Sequence, residues 1–197
     1  MRDVTRIEID AYLDYVRKHS ALVAELGRYY GLDFHDHDSF KLDEDFNTLS
    51  TQAIRNLYLK GEFKPSKEEK RELDSVKAVH ALKNPHHPEY WDKSLTTAED
   101  VIDKKLIDAT QMTCREVLIE YACDMAAKAL KKNRPMAESF LKDASPDSPD
   151  RKYIFTEDQF MKIYVYLLEL HEFVIRKGIC YDNKPYTAGV LSEDPDD

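Results

Sequence analysis

The sequence predicts an all-α protein, and three observations carry that expectation. Its 197 residues include only five glycines and eight prolines. Leu, Ala, Lys, Glu and Tyr are abundant while β-branched runs are few, the bias of a helix-forming chain. Apolar residues recur every three or four positions over long stretches, which puts them on one face of a helix. A chain of this length buries a substantial core as one domain. No internal repeat or linker divides it, so a single helical domain is expected over 1–180, followed by an irregular acidic tail over 181–197.

Between Ile7 and Tyr30, the residues Tyr12, Val16, His19, Val23, Leu26 and Tyr30 form one inward stripe, with Gly31 as C-cap. His19 therefore sits among residues that bury it; taken alone, a satisfied core histidine is the simpler reading. The histidine-rich turn Phe34-His35-Asp36-His37-Asp38 follows. Asp43 or Asp45 starts a helix through Phe46, Leu49, Ile54 and Leu57 to about Lys60, broken by Gly61 and Pro65. Ser66 with Glu69 is a capping box for a helix over 67–83. Its sparse stripe of Leu73 and Val76 continues into His80, and Asn84-Pro85 stops it. In the next stretch, prolines flank His86-His87 and restrict the backbone. Tyr90 and Trp91 just beyond suit either stacking on a ligand or packing.

Thr97 to Asp100 begins a helix with Val101, Ile102, Leu106 and Ile107 on its apolar side. A longer one runs from about Thr113 to Lys132. Within it Asp124 is the one carboxylate between Tyr121 and Ala127. A buried carboxylate must be neutralised by a proton, a cation or a metal. Asp124 is therefore either such a group or a residue turned to solvent. Glu116 and Glu120, on the same helical face, are supporting groups or solvated ones. Pro135 opens a short helix to about Leu141, and 143–150 is a polar, proline-punctuated loop. Thr156 or Asp158 starts the last helix, through Phe160, Ile163, Leu167, Leu170 and Val174 to about Lys177.

The formal charge of −9 argues against broad duplex nucleic-acid binding, which relies on Lys and Arg at phosphates. Cys114, Cys123 and Cys180 have neither paired spacing nor an even count, which fits a reducing compartment. No signal-peptide core and no run near the roughly 18 apolar residues of a membrane span occurs, so a soluble, cytoplasmic protein is expected. P-loop, dinucleotide and GxSxG motifs are absent, and His171-Glu172 is no HExxH because position 175 is Ile. What remains is a histidine–carboxylate set. In His37-Asp38 an imidazole and a carboxylate can ligate one divalent ion, with a second carboxylate oxygen left to bridge.

The order His19, His37-Asp38 with Lys41, His80, His86-His87 and a later helical Asp124 resembles the HD-domain metal-dependent phosphohydrolases. That all-α superfamily is defined by a His, an adjacent His-Asp and a distant Asp around a divalent metal. His37-Asp38-x-x-Lys41 is similar to its HDxxK form. His86-His87-Pro88-Glu89 is similar to the His-His-x-x-Glu element of its two-metal branches, with the Glu one position early. The Cys123-Asp124 helix and the histidine–proline loop also look like an uncharacterised HD-like family of bacteria and phages. The resemblance spans about residues 10 to 130.

It implies an HD-like helical bundle in which His19, His37, Asp38 and Asp124 bind a first metal. Asp38 would bridge to a second held by His80, His86 and His87. Asp38, Lys41 and Glu89 would be the catalytic residues, with Lys41 neutralising a phosphate oxygen or orienting Asp38. His35-Asp36 offers another register but lacks the following Lys. Nitrogen and oxygen donors suit one or two divalent transition-metal ions (Mn, Fe, Co, Ni or Zn) without selecting among them. The expected activity is hydrolysis of a phosphate ester, foremost a nucleotide, by metal-activated water. The expected partner is a small phosphorylated substrate, not duplex nucleic acid or membrane. An HD-like di-iron oxygenase and a non-catalytic metal-stabilised interaction module are the alternatives.

Overall fold

In the computed structural model, which describes residues 2–188, α1 (Arg6–Arg28) begins at a reciprocal capping box between Thr5 and Glu8. Its buried stripe runs from Ile9 through Tyr12, Val16 and His19 to Val23 and Leu26. A 3-10 turn (Ser39–Leu42) precedes α2 (Phe46–Leu59), whose Asp45 cap accepts from the Asn47 and Thr48 amides. The helix α3 (Lys67–Lys83) opens on the expected Ser66–Glu69 box. Next come α4 (Pro88–Trp91), α5 (Ala98–Asp103), α6 (Arg115–Lys132), α7 (Glu138–Ala144) and α8 (Glu157–Lys177). The described residues form one mostly helical body.

α6 is its centre, packed on α8 and on α1. The small Ala122, Ala126 and Ala127 let Ile163, Leu167, Leu170 and Val174 of α8 close over it, and all seven are fully buried. A smaller cluster of Ile9, Tyr12, Leu13, Val16 and Ala53 joins α1 to α2. α3 packs on α2 and α5, so the inner faces of α1, α3 and α6 are available to one shared site. Among the described residues, no helix is long and apolar enough to cross a membrane.

Gly27 sets how the chain leaves α1. A Cβ there would stand 2.5 Å from Phe34 Cδ2 and 3.3 Å from the Leu32 carbonyl oxygen. Gly27→Ala gains about 0.5–1 kcal/mol of helix propensity but loses about 1–3 kcal/mol to overpacking. A net destabilisation is expected in urea denaturation, because Phe34 has to move at the entrance to the histidine-rich turn.

Three departures from the sequence reading have local causes. α5 stops at Asp103, and Ile107 pairs in β1 (Ile107–Asp108) with the parallel β2 (Tyr153–Ile154) instead of extending the helix. The buried Asp92 carboxylate draws the chain aside. It accepts from the Ser94 amide at 3.1 Å, the Lys104 ammonium at 2.6 Å and the Asp108 amide at 2.8 Å. α7 starts at Glu138 and reaches Ala144, later at both ends than expected. The segment expected to be an irregular tail opens with β3 (Cys180–Tyr181) antiparallel to β4 (Lys184–Pro185). Asp182 and Asn183 take the positive φ values of a tight hairpin turn. Tyr186 then buries its ring and donates to the Arg134 carbonyl at 3.0 Å. The acidic stretch 189–197 lies outside the described residues.

Asp92 also yields a pH test. Burial alone would raise its carboxyl pKa, but Lys104 and the amide donors outweigh that and hold it at about 2. A depressed carboxylate stabilises the fold above its unfolded value near 4, and the contribution is lost as pH falls through the folded value. Asp92→Asn should therefore destabilise by about 2 kcal/mol at pH 7, a difference that closes toward pH 2 in denaturant titrations at both pH values.

Candidate metal centre

The turn after α1 sorts its residues by side. Amide bonds from His37 to Phe34 O, Ser39 to Asp36 O and Lys41 to Asp38 O wind the backbone tightly. His35 and Asp36 are left outside, their side chains 68% and 80% exposed, while His37 and Asp38 point inward at 3% and 7%. Asp38 takes a left-handed conformation (φ 60°, ψ 9°), which Asp tolerates better than most residues and which is often found at functional sites.

Five segments meet around that Asp. His19 comes from α1, His80 from the end of α3, His86 and His87 from the following loop, and Asp124 from α6. His19 Nε2 lies 3.0 Å from Asp124 Oδ1. His37 Nε2 is 3.8 Å from both Asp124 Oδ1 and Asp38 Oδ2. The other Asp38 oxygen, Oδ1, stands 3.3 Å from His80 Nε2 and 4.0 Å from His86 Nε2. His87 Nε2 approaches His80 Nε2 at 2.9 Å. Asp38 thus presents one oxygen to each half of the cluster.

These spacings fit metal ligation. Two ligands about 2.1 Å from one ion stand roughly 3.0 Å apart at a right angle, 3.4 Å in a tetrahedron and 4.2 Å when opposite. His19, His37 and Asp38 offer donors all within 4.8 Å of one another, as do His80, His86 and His87. His37 Nε2, Asp38 Oδ1 and His86 Nε2 are buried without any hydrogen-bond partner. Leaving three such atoms unpaired in one place is costly, and a cation satisfies all three.

A supporting layer orients the donors. Glu120 accepts from His37 Nδ1 at 2.9 Å and lies 3.3 Å from His86 Nδ1. The protons are thereby held on Nδ1, and both Nε2 lone pairs are left for the centre. Glu120 also belongs to a third donor group with His37 and His86. The helical spacing to Asp124 was its only sequence signal, and Glu116 shared that signal. Glu116 is in fact exposed, accepting from the Cys114 thiol. Asn84, unforeseen, holds His80 by donating to its carbonyl at 2.6 Å and lying 3.1 Å from its Nδ1.

The surroundings keep Asp38, Glu120 and Asp124 ionised and favour the neutral form of His19, His80 and His87. Burial would raise the Asp38 pKa, but Lys41, 2.6 Å from Oδ2, and then His37 and His80 bring it below the usual range. At Asp124, which is 2% exposed, burial is likewise outweighed by Lys128 and His19. At Glu120 burial is outweighed by the hydrogen bonds from His37 and His86, which bring it to about 2. Burial pushes His19 and His87 down and, with Lys41 adding to it, takes His80 to about 3. Neutral imidazole and ionised carboxylate are the forms that bind metals.

Glu89 is also buried, but it lies outside all three donor groups. Its Oε1 accepts from the Tyr153 hydroxyl at 3.1 Å and its Oε2 has no partner. Trp91 donates its indole N–H to the Pro85 carbonyl at 2.7 Å and meets Tyr90 edge-on, which braces the loop carrying His86 and His87.

A family model described as a family of unknown function (DUF5662) matches residues 8–167. No curated protein and no solved structure matches the chain.

Proposed function

The chain belongs to the DUF5662 family of unknown function, and from its site we propose a metal-dependent phosphohydrolase of HD-domain type acting on a phosphate ester. The observation that carries this reading is the convergence of three unpartnered buried donors, His37 Nε2, Asp38 Oδ1 and His86 Nε2. One ion would be held by His19, His37, Asp38 and Asp124, and a second by Asp38, His80, His86 and His87. When bound, such an ion supplies Lewis acidity, which lowers the pKa of a coordinated water and draws charge from a phosphoryl oxygen.

The chain's own groups do the rest. Glu120 orients two imidazoles through their Nδ1 atoms. Lys41 and Lys128 each place an ammonium on a carboxylate of the centre, adding the positive charge that a phosphate dianion needs. Those two lysines favour phosphoryl chemistry over dioxygen chemistry at a similar donor set. A nucleotide is the leading substrate class.

The test is phosphate release under anaerobic conditions from a panel of phosphate esters, with protein reconstituted separately with Mn, Fe, Co, Ni and Zn. Release without oxygen is expected for at least one metal. Oxygen consumption with iron and no phosphate release would make it an oxygenase. Metal content with neither activity would make it a metal-stabilised binding module.

A further inference from the structure

The inward face of α2 carries polar residues that the metal centre does not use. Gln52 and Asn56, one helical turn apart, are 6% and 9% exposed, and Arg55 lies between them. None of the three makes a side-chain hydrogen bond or ion pair among the described residues. The same holds for the hydroxyls of Tyr12 and Tyr15 on α1, although Tyr12 is 5% exposed. Lys77 on α3, one turn before His80, is exposed and makes no ion pair among the described residues. The acid nearest in charge to Arg55 is Asp74, which pairs with Lys70 at 3.7 Å.

Polar side chains on residues this little exposed normally find a partner in the protein or in water. Here these residues lie on α1, α2 and α3, and α2 packs on both of the others, which makes one seam. The polar atoms of Tyr12, Gln52, Arg55 and Asn56 are not sealed from solvent, so water or a ligand can reach them. The seam runs into the metal centre. The Tyr15 ring stacks on His19 with centroids 6.1 Å apart, and the charges of Arg55 and Asp38 act on both tyrosine hydroxyls.

We propose that this seam binds the body of the substrate. Arg55 and Lys77 meet the phosphate side, while Gln52, Asn56 and the two tyrosine hydroxyls hydrogen-bond a small polar group such as a nucleoside or sugar. The substrate is then a phosphate monoester of a polar alcohol. This rests on the phosphohydrolase reading for the chemistry, but not for the binding.

The experiment compares three probes on metal-loaded protein: nucleoside monophosphates, sugar monophosphates and phenyl phosphate, whose body is apolar. At least one polar ester should outperform phenyl phosphate about tenfold or more in kcat/KM, because a site built to hydrogen-bond its ligand rejects one that cannot reply. Gln52→Leu and Asn56→Leu should raise KM for that ester roughly five- to fiftyfold with little change in kcat, and leave phenyl phosphate unaffected. Arg55→Gln should weaken both esters. Each variant should keep wild-type metal content and thermal melting, which separates recognition from damage to the fold.

Nucleoside and sugar arms differing from each other identify the polar body. If no ester is turned over, calorimetric binding of the same probes decides. Discrimination lost in Gln52→Leu upholds the seam although the hydrolase reading has failed. Binding or turnover that is indifferent to body polarity, to Gln52 and to Asn56, or absent for every probe, overturns it.

Discussion

Replacing Asp38 with asparagine should strip the protein of its metal, while Asp36→Asn should not. Elemental analysis after gel filtration is the measurement, and about a hundredfold or greater weakening of metal affinity is the expected size. The argument is geometric. Asp38 supplies one oxygen toward His37 and the other toward His80 and His86, so one substitution removes charge from both halves of the centre. Asparagine is the informative choice, because it keeps the side-chain shape and tolerates the left-handed backbone at this position. Alanine would confound ligand loss with backbone strain. Asp36 is the matched control, two residues away, with its side chain 80% exposed. Any phosphohydrolase activity should fall with the metal, by about a thousandfold if water activation depends on it. Equal metal content in Asp38→Asn and Asp36→Asn would mean that the buried donors serve only packing.

The sequence made the helices legible where apolar period and caps agreed. Ser66 with Glu69 at one end and Asn84-Pro85 at the other bounded α3 as observed, and Thr156, one of the two expected starts, caps α8. It misread Ile107, because nothing local announces that Asp92, fifteen residues earlier, will collect the Asp108 amide. The site was visible through types placed against the pattern: His19 and His80 in apolar rows, and Asp124 in an apolar helix. Burial of all three follows from those rows. Glu120 was visible only as one of two equal candidates, since helical spacing cannot say which carboxylate a distant loop will reach. The α2 seam was hidden altogether. Gln52, Arg55 and Asn56 read as ordinary polar helix residues until α2 packs on α1 and α3, because the burial of a polar face has no one-dimensional signature.

Chelation should lower the melting temperature of the metal-loaded protein sharply, and this is the larger structural consequence of the centre. Its donors come from α1, the following turn, α3, the loop after α3 and α6. A bound ion therefore joins segments up to 105 residues apart, the separation of His19 and Asp124. An ion present at about a thousand times its dissociation constant stabilises the native state by about 4 kcal/mol. At about 2–4 °C per kcal/mol for a chain of this size, the loss on chelation should be roughly 8–16 °C by differential scanning calorimetry. The direction follows from the unpartnered buried atoms: without a cation, His37 Nε2, Asp38 Oδ1 and His86 Nε2 are desolvated with nothing in exchange. Asp38→Asn supplies the control, since a protein that cannot hold the ion should melt at the same temperature with and without chelator. An unchanged midpoint in the native protein would mean that the five segments are held by the α1–α6–α8 core alone and that the cluster carries no ion.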